Sequence, residues 1–192
     1  MYVVEIFDSM QGEGHYMGEY VTFVRFAGCN LKCPFCDEAS KYSKAKKMSV
    51  AQVVKKCKQD RVVLTGGEPT LQPELEQLID ALIHEGKMVS IETNGTNPVP
   101  RQTALSVWVT CSPKAPRYEV NCECSEMKLV VSEDLKFAQA LALADMMKRP
   151  VWLQPCDGPY IEKSKDIILK WIKKDPVHFR AGIQLHKWYE VQ

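Results

Sequence analysis

Short β-branched runs alternate with amphipathic helical stretches along most of the chain, and this alternation limits what it can fold into more than any other feature. Residues 21–26, 61–64, 88–91, 106–110, 128–131, 151–153 and 181–184 read as strands, most of them buried on both faces. Between them, Leu71, Leu75, Leu78, Ile79, Leu82 and Ile83 form one helical stripe. Leu135, Ala138, Leu141, Ala142 and Met146 form a second, with Ser132 as its N-cap, and residues 161–173 give a third helix. Ser49 and Gln52 make a capping box ahead of Val50, Val53, Val54 and Cys57, a spacing that places Cys57 in the core. Parallel neighbours need a crossover connection, so strand–helix alternation predicts an α/β fold with a mostly parallel sheet. With 192 residues, the expectation is one domain spanning 1–192.

In such sheets ligands collect at the carboxyl ends of the strands. The polar motifs fall at those ends: residues 29–36, 65–69, 92–95, 112–114, 154–157, and His186 with Lys187. A rim assembled from many strand ends is how barrel enzymes build a site, so the pattern argues for an enzyme. Within Gly66-Gly67-Glu68-Pro69, paired glycines allow close backbone approach and a carboxylate can accept from an ammonium.

Three cysteines in eight residues, Cys29, Cys33 and Cys36, supply the chemistry. A cubane iron–sulfur cluster and a structural zinc each take four ligands, so three thiolates leave one coordination position open for reactivity. A closed zinc knuckle would need a distant fourth ligand such as Cys57 or His15. The N-terminus carries acids where a secretory signal carries positive charge, and no apolar run approaches the roughly 18 residues of a membrane span. A cytoplasmic protein with reduced thiols follows. A formal net charge of +1 gives no basic excess, which argues against direct nucleic-acid binding.

The Cys-x3-Cys-x2-Cys spacing resembles that of radical S-adenosylmethionine (radical SAM) enzymes, and the Gly-Gly-Glu-Pro block lies downstream of it as it does there. Several further blocks run nearly end to end in order: Met10-Gln11-Gly12-Glu13-Gly14, Phe23-Val24-Arg25, Glu92-Thr93-Asn94-Gly95-Thr96, residues 108–114, Leu153-Gln154-Pro155 and Gln184-Leu185-His186-Lys187. Together they resemble the 7-carboxy-7-deazaguanine synthase family. That resemblance implies a compact partial (β/α) barrel. It implies radical contraction of 6-carboxy-5,6,7,8-tetrahydropterin to 7-carboxy-7-deazaguanine with loss of ammonia, in the synthesis of queuosine for tRNA and of other 7-deazapurines. The implied cofactors are a [4Fe–4S] cluster on Cys29, Cys33 and Cys36, S-adenosylmethionine, and Mg²⁺. The implied partners are a reductant such as flavodoxin or ferredoxin and a second copy of the chain in a homodimer.

Carried over residue by residue, Met10, Gln11, Gly12, Glu13, Arg25, Thr93, His186 and Gln192 resemble substrate contacts. Phe35, Cys36, Asp37, Gly67, Glu68, Gly95, Ser112, Pro113, Lys114, Gln154, Pro155, Cys156 and Asp157 resemble contacts to S-adenosylmethionine. Two positions depart from the pattern: Glu38 stands where the family places a hydroxyl ligand to Mg²⁺, and Gln192 stands where some relatives end in proline. A carboxylate is also a hard oxygen ligand, so Glu38 is the expected Mg²⁺ ligand here. Cys122-Glu123-Cys124, with Cys111 and Cys156, raises an auxiliary metal site that their scattering makes an inferior reading. Two other functions fit the cysteine loop less well: an activating enzyme that makes a glycyl radical on a partner protein, and a non-catalytic electron-transfer module.

Overall fold

A computed structural model describes residues 1–36 and 38–191. The chain opens with a hairpin of β1 (Tyr2–Met10) and β2 (Tyr20–Phe26), paired antiparallel from Val3 against Phe26 to Met10 against Tyr20. After the cysteine loop and a 3₁₀ turn at Ala39–Lys44 come β3 (Lys46–Lys47) and α1 (Val50–Val54). Alternation then sets in with β4 (Arg61–Gly66), α2 (Leu75–His84), β5 (Met88–Thr93), α3 (Arg101–Ser106) and β6 (Trp108–Cys111). It continues through β7 (Glu126–Val131), α4 (Phe137–Met147), β8 (Val151–Pro155), α5 (Ile161–Lys174), β9 (Phe179–Ala181) and α6 (Leu185–Trp188).

Among the described residues these strands form one open nine-stranded sheet in the order β3-β1-β2-β4-β5-β6-β7-β8-β9. Every pair from β2–β4 onward is parallel, so the carboxyl ends of β2 and β4 to β9 share one rim. The expected α/β sheet is present and is not closed, as a partial barrel requires. No helix among the described residues is long and apolar enough to cross a membrane.

Burial explains the elements. Val62, Val63 and Leu64 of β4 have no exposed surface, the continuous apolar run of a strand covered on both faces. On α2 the buried residues are Leu75, Leu78, Ile79 and Leu82, an i, i+3, i+4, i+7 stripe, and Gly86 follows at φ +75° to end the helix in the left-handed region. One apolar core joins α1 and α2 to β2, β4, β5 and β6; a second joins α4 and α5 to β7, β8 and β9.

Several boundaries differ from the sequence reading. Leu71 lies in a 3₁₀ turn (Pro69–Leu71) and, with Ile83, is exposed rather than on the buried stripe. The capping box at Ser49 and Gln52 forms, but α1 stops at Val54; Cys57 is buried all the same, its thiol donating to the Val53 carbonyl at 3.3 Å. Ser132 does not cap α4, which begins five residues later behind Lys136, whose backbone is capped by Gln139. Ser106 ends α3, so β6 starts at Trp108. Strand β9 lies earlier than residues 181–184, because at Gly182 the backbone turns in against Gln154. The unforeseen strand β1 carries Glu5 and Asp8, tolerable in a sheet because Arg25, Thr22 and Gln59 meet them.

Candidate active site

The strand ends enclose a cavity of about 370 Å³. Its wall contains Met10, Gln11, Gly12, Glu13, Arg25, Cys29, Cys33, Phe35, Cys36, Glu38, Gly67, Thr93, Ser112, Lys114, Gln154, Pro155, Asp157 and His186, all singled out from sequence. Glu68, Gly95, Pro113 and Cys156 are not on that wall. Asp37 and Gln192 lie outside the described residues.

At one end of the cavity lies the cysteine loop, delivered by β2. Its three thiols are free, with Cys36 exposed and Cys29 and Cys33 partly so. Cys29 Sγ accepts from the Leu31 N–H at 3.4 Å and from Asn94 Nδ2 at 3.8 Å, the kind of N–H···S bonding that stabilises a metal-bound thiolate. Burial pushes the Cys33 thiol up, and the Lys114 ammonium pulls it back. Among the described residues no three His, Cys, Asp or Glu side chains converge on a single metal ion. A cubane spreads its thiolates, one to each iron, so a [4Fe–4S] cluster does not require the three to converge on one ion. His15 stacks on Trp108, ring centroids 4.6 Å apart.

The Gly-Gly-Glu-Pro block braces this loop. Gly67 donates to the Phe26 carbonyl and Glu68 to the Gly28 carbonyl, both at 2.8 Å, and a Cβ on Gly67 would overlap the Gly28 carbonyl. The close approach that glycine permits here is to backbone. Glu68 is fully buried: one oxygen accepts from the Thr70 N–H (3.1 Å) and from the Thr70 and Thr93 hydroxyls (both 2.7 Å), the other from the Asn94 N–H at 2.7 Å. In this arrangement Glu68 acts as a clip behind the wall.

In the middle of the cavity the strand ends of β6 and β8 contribute the lip. Lys114 Nζ donates to the Ser112 carbonyl (2.6 Å) and hydroxyl (2.5 Å), and burial together with nearby Lys128 holds its ammonium below the usual lysine range. Gln154 is 3% exposed, and neither its amide nitrogen nor its amide oxygen has a hydrogen-bond partner among the described residues. A buried amide left unpaired costs about 1–3 kcal/mol, so this side chain fits a polar ligand such as S-adenosylmethionine seated in the cavity.

Beside the cysteine loop the wall is charged. Arg25 Nη1 pairs with Glu5, its Nε lies 3.0 Å from Glu38, and its guanidinium stands 5.1 Å over the Phe7 ring. Glu38 also accepts from Lys41 at 3.1 Å. Glu38 Oε2, though near Arg25, is buried with no hydrogen-bond partner among the described residues. His186, on α6, packs against Gly12 so closely that any Cβ there would overlap its ring. Leu185 donates to the Gly12 carbonyl at 2.9 Å, tying α6 to the segment after β1.

Sequence reasoning put Glu92 on the rim without a role and missed Lys128; both line the cavity. The available signal was a lysine heading a strand that is otherwise apolar. It also missed Glu126, whose carboxylate accepts from Thr110 (2.8 Å), Trp108 (3.3 Å), Trp152 (2.8 Å) and the His15 N–H (2.9 Å), anchoring residues 13–15 to the sheet. Cys111, Cys122 and Cys124 lie close enough to influence one another's thiols, with Met147 Sδ 3.3 Å from Cys124 Sγ. Cys156 stands apart from them, buried under a bond from its N–H to Ser164. Among the described residues no three His, Cys, Asp or Glu side chains, these thiols included, are arranged to hold one metal ion.

Comparison with known proteins bears on this geometry. A family model described as the radical SAM superfamily matches residues 23–108. The chain is 34% identical to a 7-carboxy-7-deazaguanine synthase of Neisseria meningitidis serogroup B, over 99% of this chain and 93% of that protein. It is 36% identical to one of Bacteroides thetaiotaomicron, over 98% and 97%. Among solved structures, QueE from Escherichia coli superposes with a TM-score of 0.76 at 24% identity, covering 96% of this chain and 94% of that one. Streptococcus suis SuiB bound to S-adenosylmethionine shares the fold more distantly, with a TM-score of 0.50 over 84% of this chain and 47% of that one.

Proposed function

This chain belongs to the 7-carboxy-7-deazaguanine synthase family of radical SAM enzymes, and from that premise we propose that it contracts 6-carboxy-5,6,7,8-tetrahydropterin to 7-carboxy-7-deazaguanine with release of ammonia. One observation supports the reading above all others. A single cavity wall holds three free thiols, an unpartnered buried amide at Gln154, and fixed charges at Arg25, Glu13 and Glu92. A carrier or electron-transfer module needs only the first of these, and a glycyl-radical activating enzyme needs an opening for a protein segment.

Cys29, Cys33 and Cys36 would hold a [4Fe–4S] cluster, which with S-adenosylmethionine beside it would supply radical hydrogen-abstraction chemistry. The chain's own residues do the rest. Gln154, Ser112 and Lys114 orient the polar ends of S-adenosylmethionine, while Phe35 covers the cluster from water. Arg25 offers its guanidinium to the pterin carboxylate, with Glu5 and Glu38 holding it in position. Gln11, Glu13, Thr93 and His186 present acceptors and donors to the ring edges. No step is assigned to Mg²⁺.

Family membership also supports the finer parts of the reading. These are an electron donor of the flavodoxin or ferredoxin kind, a homodimer in the cytoplasm, and delivery of the product to queuosine and related 7-deazapurines.

The test is anaerobic reconstitution with iron and sulfide, followed by incubation with S-adenosylmethionine, dithionite and 6-carboxytetrahydropterin, read by mass spectrometry. Formation of 7-carboxy-7-deazaguanine, abolished in Cys33→Ala, is expected. Release of 5′-deoxyadenosine without that product would send the search to another substrate.

A further inference from the structure

Lys128 lies on β7 and is 5% exposed, a position where a lysine is unfavourable unless its ammonium is paired. Its Nζ donates to Glu13 Oε2 at 2.8 Å and to Glu92 Oε2 at 2.5 Å. The remaining oxygen of each carboxylate is also held: Gln184 Nε2 donates to Glu13 Oε1 at 3.0 Å, and Gln11 Nε2 to Glu92 Oε1 at 3.1 Å. One ammonium thus ties together the segment after β1, the end of β5, the middle of β7 and the start of α6. Lys128, Glu13 and Glu92 all line the cavity. Replacing such a buried ionic cluster with apolar groups of the same volume is often neutral or stabilising, so fold stability alone does not call for it.

A carboxylate oxygen has two lone-pair sites, and each oxygen here accepts one of the four bonds described, leaving acceptor capacity at the cavity wall. The 2-amino group and ring N–H of a pterin are adjacent donors on one edge, the complement of such a pair. Resting on the ring-contraction reading above, we propose that Lys128 is a positioning residue that fixes Glu13 and Glu92 as a joint acceptor for the N–H edge of the pterin. Glu92 is then a substrate-binding residue in its own right.

The electrostatics agree. Burial alone would push the Glu13 carboxyl up, but the charge and hydrogen bond of Lys128 carry it below the usual carboxylate range. Burial likewise opposes the charge on Lys128, and the two acids together hold its ammonium well above the usual range. The other titratable groups facing the three are Lys114, on the loop after β6, and His186, on α6. Without Lys128, two carboxylates share a buried wall with no cation between them, which favours uptake of a proton by the pair. A protonated carboxyl presents a donor to a donor edge.

The experiment compares wild type, Lys128→Met, Lys128→Arg and Glu92→Gln as cluster-reconstituted enzymes, with kcat and KM for the pterin measured from pH 6.5 to 8.5 and thermal melts as a check on folding. Lys128→Met should lose about 30-fold in kcat/KM at pH 7, carried by KM, the scale of one hydrogen bond to a charged group. Its kcat/KM should then climb up to about tenfold per pH unit as the pair deprotonates, a slope absent from wild type. Lys128→Arg should keep the wild-type profile. Glu92→Gln preserves shape and leaves Lys128 one partner; its KM should rise about tenfold. A Lys128→Met enzyme with the wild-type pH profile would overturn the proposal. So would a Glu92→Gln KM within twofold of wild type, an outcome that decides the matter even if Lys128→Met does not fold. A wild-type enzyme that forms no 7-carboxy-7-deazaguanine would instead overturn the reading on which the proposal rests.

Discussion

Glu68 separates a ligand contact from a structural clip, and the two roles predict opposite measurements. Its carboxylate has no exposed surface and accepts four hydrogen bonds, three at one oxygen and one, from the Asn94 N–H, at the other. Glu68→Gln keeps the shape but turns one oxygen into an NH₂ group. The amide settles with its oxygen toward the three donors, leaving NH₂ against the Asn94 N–H. One charge-assisted bond is lost, and the Asn94 N–H and the new NH₂ are both stranded, a cost of about 2–3 kcal/mol. Glu68→Ala removes every acceptor and opens a void, so its cost should reach about 4–5 kcal/mol, the range reserved for broken buried networks. With a urea m-value of about 2 kcal/mol/M for a domain of this size, Glu68→Gln should lower the unfolding midpoint by about 1 M. A Glu68→Gln midpoint within about 0.2 M of wild type, together with weakened binding of S-adenosylmethionine, would refute the clip and restore the ammonium contact.

Three further outcomes are expected. Gly12→Ala should displace the His186 ring and raise the substrate KM about tenfold with little loss of stability, since the overlap is confined to one side chain; a KM within twofold of wild type would show that the ring is not a contact. Product formation in Mg²⁺-free buffer should fall within about twofold of that with Mg²⁺. Stimulation above about tenfold by the ion would show that Glu38 leaves Arg25 and Lys41 to bind it. Because the folded Glu13 carboxyl is held below its unfolded value, it contributes stability above about pH 4.3 that is lost as the pH falls through the folded value. Urea midpoints from pH 6 to pH 3 should therefore drop more steeply for wild type than for Glu13→Gln, and parallel curves would contradict the depressed value.

Much of this architecture was legible in local pattern. The capping box at Ser49, the α2 stripe and the all-buried run in β4 follow from spacing and composition, because each is decided by neighbours within a turn or a strand. The cysteine loop and the polar strand ends are equally local, which is why most of the candidate site residues land on one cavity wall. Strand β1 escaped notice because Glu5 and Asp8 break its apolar pattern, and only Arg25, Thr22 and Gln59 from other segments make those charges tolerable. The start of α4 and the short β9 depended likewise on contacts beyond the local window.

Sequence by itself determined the alternating α/β topology, the three thiols for a cluster and the strand-end positions of the chemistry, since these rest on periodicity and on residue type. Only the tertiary structure decided which polar group meets which. It turned Glu68 from a ligand contact into a clip, paired Glu38 with Arg25, left the Gln154 amide waiting for a partner, and brought Lys128 to Glu13 and Glu92 across 115 and 36 residues of chain. The physical reason is that a buried charge is tolerable only beside its counter-charge, and in a parallel sheet that neighbour arrives from a strand or loop whose distance along the chain bears no fixed relation to its distance in space.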